Sequence, residues 1–195
     1  KSLSIAGIIL GVCFASIETH AASVFWDSIA KSHVENTLSH WQSFETACGQ
    51  RQKCLGIQAD ALAIVTQERQ RLNGDHLDSR AANAVAGFLA ERLPYVDEGY
   101  RYVDFDGIEA LKRGRGVCWV YALAGFALLQ AIDPSAKLEF RLAQPVESKT
   151  SHAYTSVWAD GIQYDLEQGN RLAVWHAQSA VKDLPVYLAV GNKQP

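Results

Sequence analysis

The chain has 195 residues, 48% of them hydrophobic and 20% charged, with 18 Lys and Arg against 21 Asp and Glu. A chain of this size buries a core of its own without needing metal or disulfide staples, and it is too hydrophobic to be a disordered segment. The net charge of −3 lacks the basic excess expected of a nucleic-acid binder, and no repeat, charged tail or low-complexity tract points to an electrostatic partner.

Lys1 precedes an apolar run over 3–17, and Thr19-His20-Ala21-Ala22 follows closely. A positive start, about 15 mostly apolar residues and a small-x-small exit describe a secretory signal peptide, with cleavage expected after Ala21 or Ala22. The run is shorter than the ~20 residues that span a bilayer, so cleavage is expected rather than anchoring. A lipoprotein signal through Cys13 is disfavoured by Val12, which stands where a small residue is needed. The expected division is a signal peptide at 1–22 and one domain at 23–195. The mature domain is expected in the periplasm or outside the cell, with no membrane span after cleavage.

Over 27–48, Ile29, Ala30, Val34, Leu38, Trp41, Phe44 and Cys48 recur every three or four residues and predict an amphipathic helix. His33 and His40, seven apart on it, read as solvated surface histidines. Cys48 and Cys54 flank a polar turn that starts at Gly49, and their closeness predicts a local disulfide. No second cysteine pair or nearby histidine pair completes a zinc site there. A second helix over 59–72 stops at Asn73-Gly74-Asp75. A third, capped by Asp78 or Ser79, carries Val85, Phe88, Leu89 and Leu93 and closes at Pro94. An irregular aromatic stretch over 95–103 leads to a short helix over 108–112. Gly114-Arg115-Gly116 then breaks the chain before a helix over 118–129. That helix is apolar nearly all round, which places it through the middle of the domain. Past Asp133-Pro134 the period changes to two. Residues 138–142, 152–158 and 162–166 read as strands, the last two joined at Asp160-Gly161, with one more strand over 186–190. Helices first and strands after predict an α+β domain with a mainly antiparallel sheet.

Removal of the signal peptide leaves Cys118 as the odd cysteine. It stands where a Gly-rich turn becomes the central helix, and there the first backbone N–H groups and the helix dipole favour a thiolate. The same N–H groups can hold the oxyanion formed when the sulfur attacks a carbonyl. A nucleophile needs a base, and the base an orienting group. Of the six histidines, His20 leaves with the signal, His33 and His40 lie on a helix, His76 sits in a polar turn and His176 follows Trp175 in an unassigned stretch. Only His152 opens an alternating strand of the sheet expected against the central helix. The nearest downstream acid on the partner strand is Asp165.

Gly116-Val117-Cys118-Trp119-Val120-Tyr121-Ala122 resembles the nucleophile segment of the transglutaminase-like superfamily. His152-Ala153-Tyr154, with Asp160-Gly161 and Tyr164-Asp165, resembles its His-bearing and Asp-bearing strands. Over roughly 88–168, and together with the signal peptide, the layout is similar to that of the bacterial periplasmic transglutaminase-like cysteine proteinases. The resemblance implies a papain-like α+β fold, with a central Cys-bearing helix packed on an antiparallel sheet and a Cys118–His152–Asp165 triad. It further implies cleavage of a protein or peptide amide through a thioester acyl-enzyme. In a true transglutaminase the acyl group passes to an amine instead of water, and a non-catalytic binding module on the same scaffold is the alternative outside enzymes. The Cys118 N–H is one expected oxyanion donor and Tyr100 or Tyr102 the second. The acidic residues that bind calcium around the nucleophile of the periplasmic proteinases are replaced here by Val117, Trp119 and Val120, so no metal or other cofactor is expected. The implied partner is a protein or peptide substrate in the periplasm or cell envelope, and not nucleic acid.

The hairpin constrains this triad. A two-residue Asp160-Gly161 turn sets Ser156 opposite Asp165 and His152 opposite Gly169. Asp165 then shares the face of His152 but lies about 13 Å along it at the rise of a strand. A bulge or an earlier turn centre brings the two together. Without either, Glu167 or Asn170 is left to orient the imidazole.

Overall fold

A computed structural model describes residues 6–49, 55–96, 105–143, 152–166, 173–174 and 186–190, with side chains over 28–49, 55–96, 105–142 and 152–166. Helix α1 (Ala6–Gly49) is longer than the helix expected over 27–48 and is continuous across the expected cleavage position. Residues 6–26 hold no proline and two glycines, so nothing in that stretch breaks a helix. Ala30, Val34 and Trp41 form the inward stripe of α1 and are buried, with Leu38 and Phe44 packed at its margin.

Helix α2 (Ile57–Leu72) ends in a left-handed residue, Asn73, at φ 49°. Helix α3 (Ser79–Arg92) is capped by Asp78, whose carboxylate accepts the Ala81 N–H at 2.9 Å. The same carboxylate is gripped by both terminal nitrogens of Arg71, at 2.6 and 2.8 Å. That guanidinium holds the Asp78 carboxyl below its ordinary range and joins α2 to α3. Helix α4 (Gly107–Arg113) is capped by Asp106 and stops at Gly114 with φ 67°.

Helix α5 (Cys118–Ile132) is buried on nearly every face and runs through the core, as its composition predicts. Five strands follow among the described residues: β1 (Leu138–Ala143), β2 (His152–Ala159), β3 (Ile162–Leu166), β4 (Ala173–Val174) and β5 (Val186–Val190). They form one sheet in the order β4-β3-β2-β1-β5, with antiparallel neighbours throughout. The α+β class read from the sequence is correct; the two-residue β4 is too short to register as an alternating run.

The packing of α5 on the sheet fixes the site. Phe140, Thr155 and Leu166 form one rung across β1, β2 and β3. The Trp119 ring meets Phe140 edge-on at 5.3 Å. The Ala122 carbonyl accepts the Thr155 hydroxyl at 2.7 Å. A Cβ on Gly125 would stand 3.0 Å from Leu166 Cδ2. Three helical residues advance about 4.5 Å, close to the ~4.8 Å between strands. The helix therefore lies across the strands, one step of three residues per strand.

Other elements lock it there. The Tyr121 hydroxyl, pushed up to about 12 by burial, donates to the Ala86 carbonyl of α3 at 3.3 Å. Arg69 of α2 donates to the Ala131 carbonyl near the C-terminal end of α5 at 2.6 and 3.1 Å and to Glu45 of α1 at 2.8 Å. At the first residue of α4 the two backbones touch: a Cβ on Gly107 would lie 2.4 Å from the Ala124 nitrogen and 2.8 Å from its Cα. Gly107→Ala is expected to destabilise the domain by about 1–3 kcal/mol, because backbone atoms and not a flexible side chain would have to move. Urea unfolding of the variant against the parent checks this.

Candidate active site

Cys118 is the first residue of α5, and the turn before it is fixed by backbone hydrogen bonds. Tyr95 and Gly116 form a parallel bridge, with Val96 N donating to the Gly116 carbonyl at 2.9 Å and Gly116 N to the Pro94 carbonyl at 3.1 Å. A side chain at Gly116 would stand 2.5 Å from Val120 Cγ2, so the turn can press against the helix only with glycine there. Val117 occupies the N-cap, and its side chain makes no capping hydrogen bond. No acidic residue stands in the first turn, so no side-chain carboxylate there competes for the positive end of the dipole. Cys118 is half-buried and carries a thiol rather than a disulfide.

Beside the thiol, the Trp119 ring stacks on Phe105 at 5.1 Å and 20°. His33 of α1 meets both rings edge-on, at 5.9 Å from Trp119 and 5.8 Å from Phe105. Burial lowers its pKa, against the opposing pull of the Phe105 backbone and Asp106. His40 brings Nδ1 within 2.6 Å of Asp106 Oδ2, and Asn36 donates to the same oxygen at 2.9 Å. The other Asp106 oxygen accepts the Ile108 and Glu109 N–H groups at 2.8 and 3.0 Å. The expectation of solvated histidines on this helix holds in part: the His40 side chain stays 48% exposed and His33 is half-buried, while each also meets a specific partner. His33, Asn36 and His40 lie on one helical face, and that face meets the start of α4 and the residue after the nucleophile. Their spacing was the available signal; it identifies a shared face but not what the face touches.

His152 opens β2, as expected, and is half-buried, its ring stacked on Tyr154 at 6.0 Å and 24°. Thr155 reaches α5, so strand alternation puts Tyr154 and Ser156 on the opposite face, where Arg141 and Asp165 stand across from them. Among the described residues no hydrogen bond joins Cys118 to His152. The two elements that carry these side chains do meet, through Thr155 and Ala122.

Asp165 does not stand beside His152. The two-residue turn forms, with Asp160 and Gly161 at φ 53° and 75°. No register shift interrupts the β2–β3 pairing, and Ser156 faces Asp165. Asp165 is 4% exposed and Ser156 is fully buried. The Ser156 hydroxyl donates to Asp165 Oδ1 at 2.5 Å. The β2–β3 register thus sets Asp165 opposite Ser156, four residues along β2 from His152, and the Ser156 hydroxyl serves one of its oxygens. Ser156 was not singled out from the sequence as a polar partner, although the hairpin register already set it opposite Asp165.

Tyr100, Tyr102, Cys54, Glu167, Asn170 and His176 lie outside the described residues. Cys48 stands in the last turn of α1. Among the described residues, no group of three His, Cys, Asp or Glu side chains is placed to hold a metal ion, and no helix is long and apolar enough to cross a membrane.

A cysteine that opens a core helix laid across an antiparallel sheet, with a histidine opening the strand beneath, defines an α+β domain of the transglutaminase-like kind. The family model of the transglutaminase-like superfamily matches residues 66–166, just over half of the chain, and the chain belongs to that superfamily. A crystal structure of a protein from Cytophaga hutchinsonii, proposed to be a cysteine protease, is similar at 12% identity with a TM-score of 0.47. That likeness covers 69% of this chain and 43% of the other, so the chain spans less than half the length of that protein. No curated protein matches the sequence.

If Ser156 serves the Asp165 carboxylate, Ser156→Ala leaves a buried acceptor short of a donor. The expected loss is about 1.5–3 kcal/mol. Combining it with Asp165→Asn is expected to cost less than the sum of the two single changes, as a double-mutant cycle by chemical denaturation would show.

Proposed function

We propose that this protein is an exported cysteine hydrolase that cleaves an amide bond in a protein or peptide of the periplasm or cell envelope. The observation that carries the reading is Cys118 itself: a thiol at the first position of a buried helix, inside the span matched by the superfamily. The helix N-terminus favours the thiolate and offers the Cys118 N–H to an oxyanion, with Tyr100 or Tyr102 as the second donor.

His152 is the base. It stands at the open end of β2, its ring against Tyr154. It takes the thiol proton, the sulfur attacks the amide carbonyl, and the imidazolium protonates the departing amine. The same imidazole then draws a proton from water, which hydrolyses the thioester. An acid from the strand after the hairpin fixes the tautomer. Asp165 does so only by exchanging Ser156 for His152. Glu167, two residues further on, is nearer to His152 if the pairing continues, and Asn170 is the neutral alternative. The mature domain is 23–195, freed of its signal peptide and carrying a Cys48–Cys54 disulfide.

The test is the alkylation rate of Cys118 by iodoacetamide against pH in the mature protein. The expected profile rises well below the ordinary thiol pKa of ~8.5 and moves up toward it in His152→Ala, since loss of the nearby imidazolium disfavours the thiolate. A profile that simply follows a solvent thiol, unchanged by the substitution, defeats the reading. Products then separate the chemistries: a new N-terminus marks hydrolysis, and ammonia with a cross-linked product marks transglutamination. The disulfide gives its own count. One thiol should react in the denatured, non-reduced mature chain and three after reduction, those of Cys48, Cys54 and Cys118.

A further inference from the structure

A base needs a group that holds its ring, and strand pairing sets the nearest downstream carboxylate, Asp165, against Ser156. Among the described residues, the ring that lies against the His152 imidazole is that of Tyr154, with centroids 6.0 Å apart and planes 24° from parallel. The contact follows from the strand: residues 152 and 154 of β2 point to one face, so the two rings stand side by side. Tyr154 is 2% exposed, whereas His152 is half-buried at the first position of the strand. Arg141 faces Tyr154 from β1, and its guanidinium carries Glu139 of the same strand as counter-ion at 3.0 Å. Tyr154 is therefore the fixed member of the pair, and the imidazole at the strand end rests on it.

We propose that Tyr154 is a positioning residue for His152: its ring sets the plane of the imidazole and attracts the imidazolium formed when the Cys118 proton is taken. The proposal rests on the cysteine-hydrolase reading. A stacked ring confines the imidazole, so less conformational freedom is left to lose when thiol, imidazole and substrate line up. The face of an aromatic ring is electron-rich, and a cation within about 6 Å of its centroid is attracted to it. The proton leaves Sγ for an imidazole nitrogen, so positive charge develops on the ring that Tyr154 faces while the sulfur becomes the anion at the helix N-terminus. Glu139 pairs the charge of Arg141, which weakens the repulsion between that guanidinium and the imidazolium. Tyr154 acts through His152, and through the face of its ring rather than its hydroxyl.

The test compares the iodoacetamide rate of Cys118 and its pH profile in the parent, Tyr154→Phe, Tyr154→Leu, His152→Ala and the double variant Tyr154→Leu with His152→Ala. Tyr154→Leu is expected to slow alkylation at neutral pH by about two- to fivefold, the scale of one cation–π contact, and to move the profile toward that of His152→Ala. Tyr154→Phe keeps the ring face and should retain the parent profile. Adding Tyr154→Leu to His152→Ala is expected to change nothing further, an outcome that a merely structural role would not give. A parent-like profile in Tyr154→Leu, or an equal loss with and without His152, overturns the proposal. Loss of a buried ring can also unfold a domain, so a measurement on the parent stands beside the variants. Nuclear Overhauser contacts between the ring protons of His152 and Tyr154 are expected, and their absence overturns the proposal as well. If parent and His152→Ala share the profile of a solvent thiol, the hydrolase reading itself fails. If those two differ while Tyr154→Leu follows the parent, only the role of Tyr154 fails.

Discussion

The fold depends on one contact: α5 laid across the sheet along the rung of Phe140, Thr155 and Leu166. A three-residue helical step nearly equals the spacing of strands, so Trp119, Ala122 and Gly125 each meet a different strand without strain. The hydrogen bond from Thr155 to the Ala122 carbonyl pins the register at the middle strand. Because both groups are buried, sliding the helix by one step would leave a hydroxyl without its acceptor in an apolar layer. Where Cys118 emerges from the core is set by that register.

Around this contact, polar groups serve to place the helix. Asp106 binds Asn36 and His40 of α1 with one oxygen and the start of α4 with the other. Gly107 then presses α4 onto the backbone of Ala124. At the far end Arg69 links Glu45 of α1 to the Ala131 carbonyl, a cation at the negative end of the helix dipole. α1 is therefore part of the scaffold that holds the nucleophile helix, and its histidine-bearing face meets Asp106 and the Trp119 cluster while His40 stays partly exposed.

The chemistry-bearing residues were unequally legible. Cys118 could be found because the Gly114-Arg115-Gly116 break and the apolar run after it mark a helix start, which the structure places at that residue. The strand beginning at His152 and the Asp160-Gly161 turn were likewise visible, and the turn alone implied the Ser156–Asp165 pairing. What His33 and His40 touch was not legible, for the opposite reason. Helical period reports that two residues share a face, whereas whether that face meets water or Asp106 depends on a chain segment seventy residues away.

By itself the sequence determined the α+β order, the helix ends at Asp78 and Gly114, and the hairpin register. Each of these is settled by residues a few positions apart, through caps, φ preferences and the alternation of side chains. Only the tertiary structure decided that α5 crosses the strands, that Tyr95 is bridged to the turn before Cys118, and that His33 lies against Trp119. Those are meetings of distant segments. Their energy comes from burial and from satisfying polar groups that burial would otherwise strand, and neither can be evaluated until the chain has closed on itself.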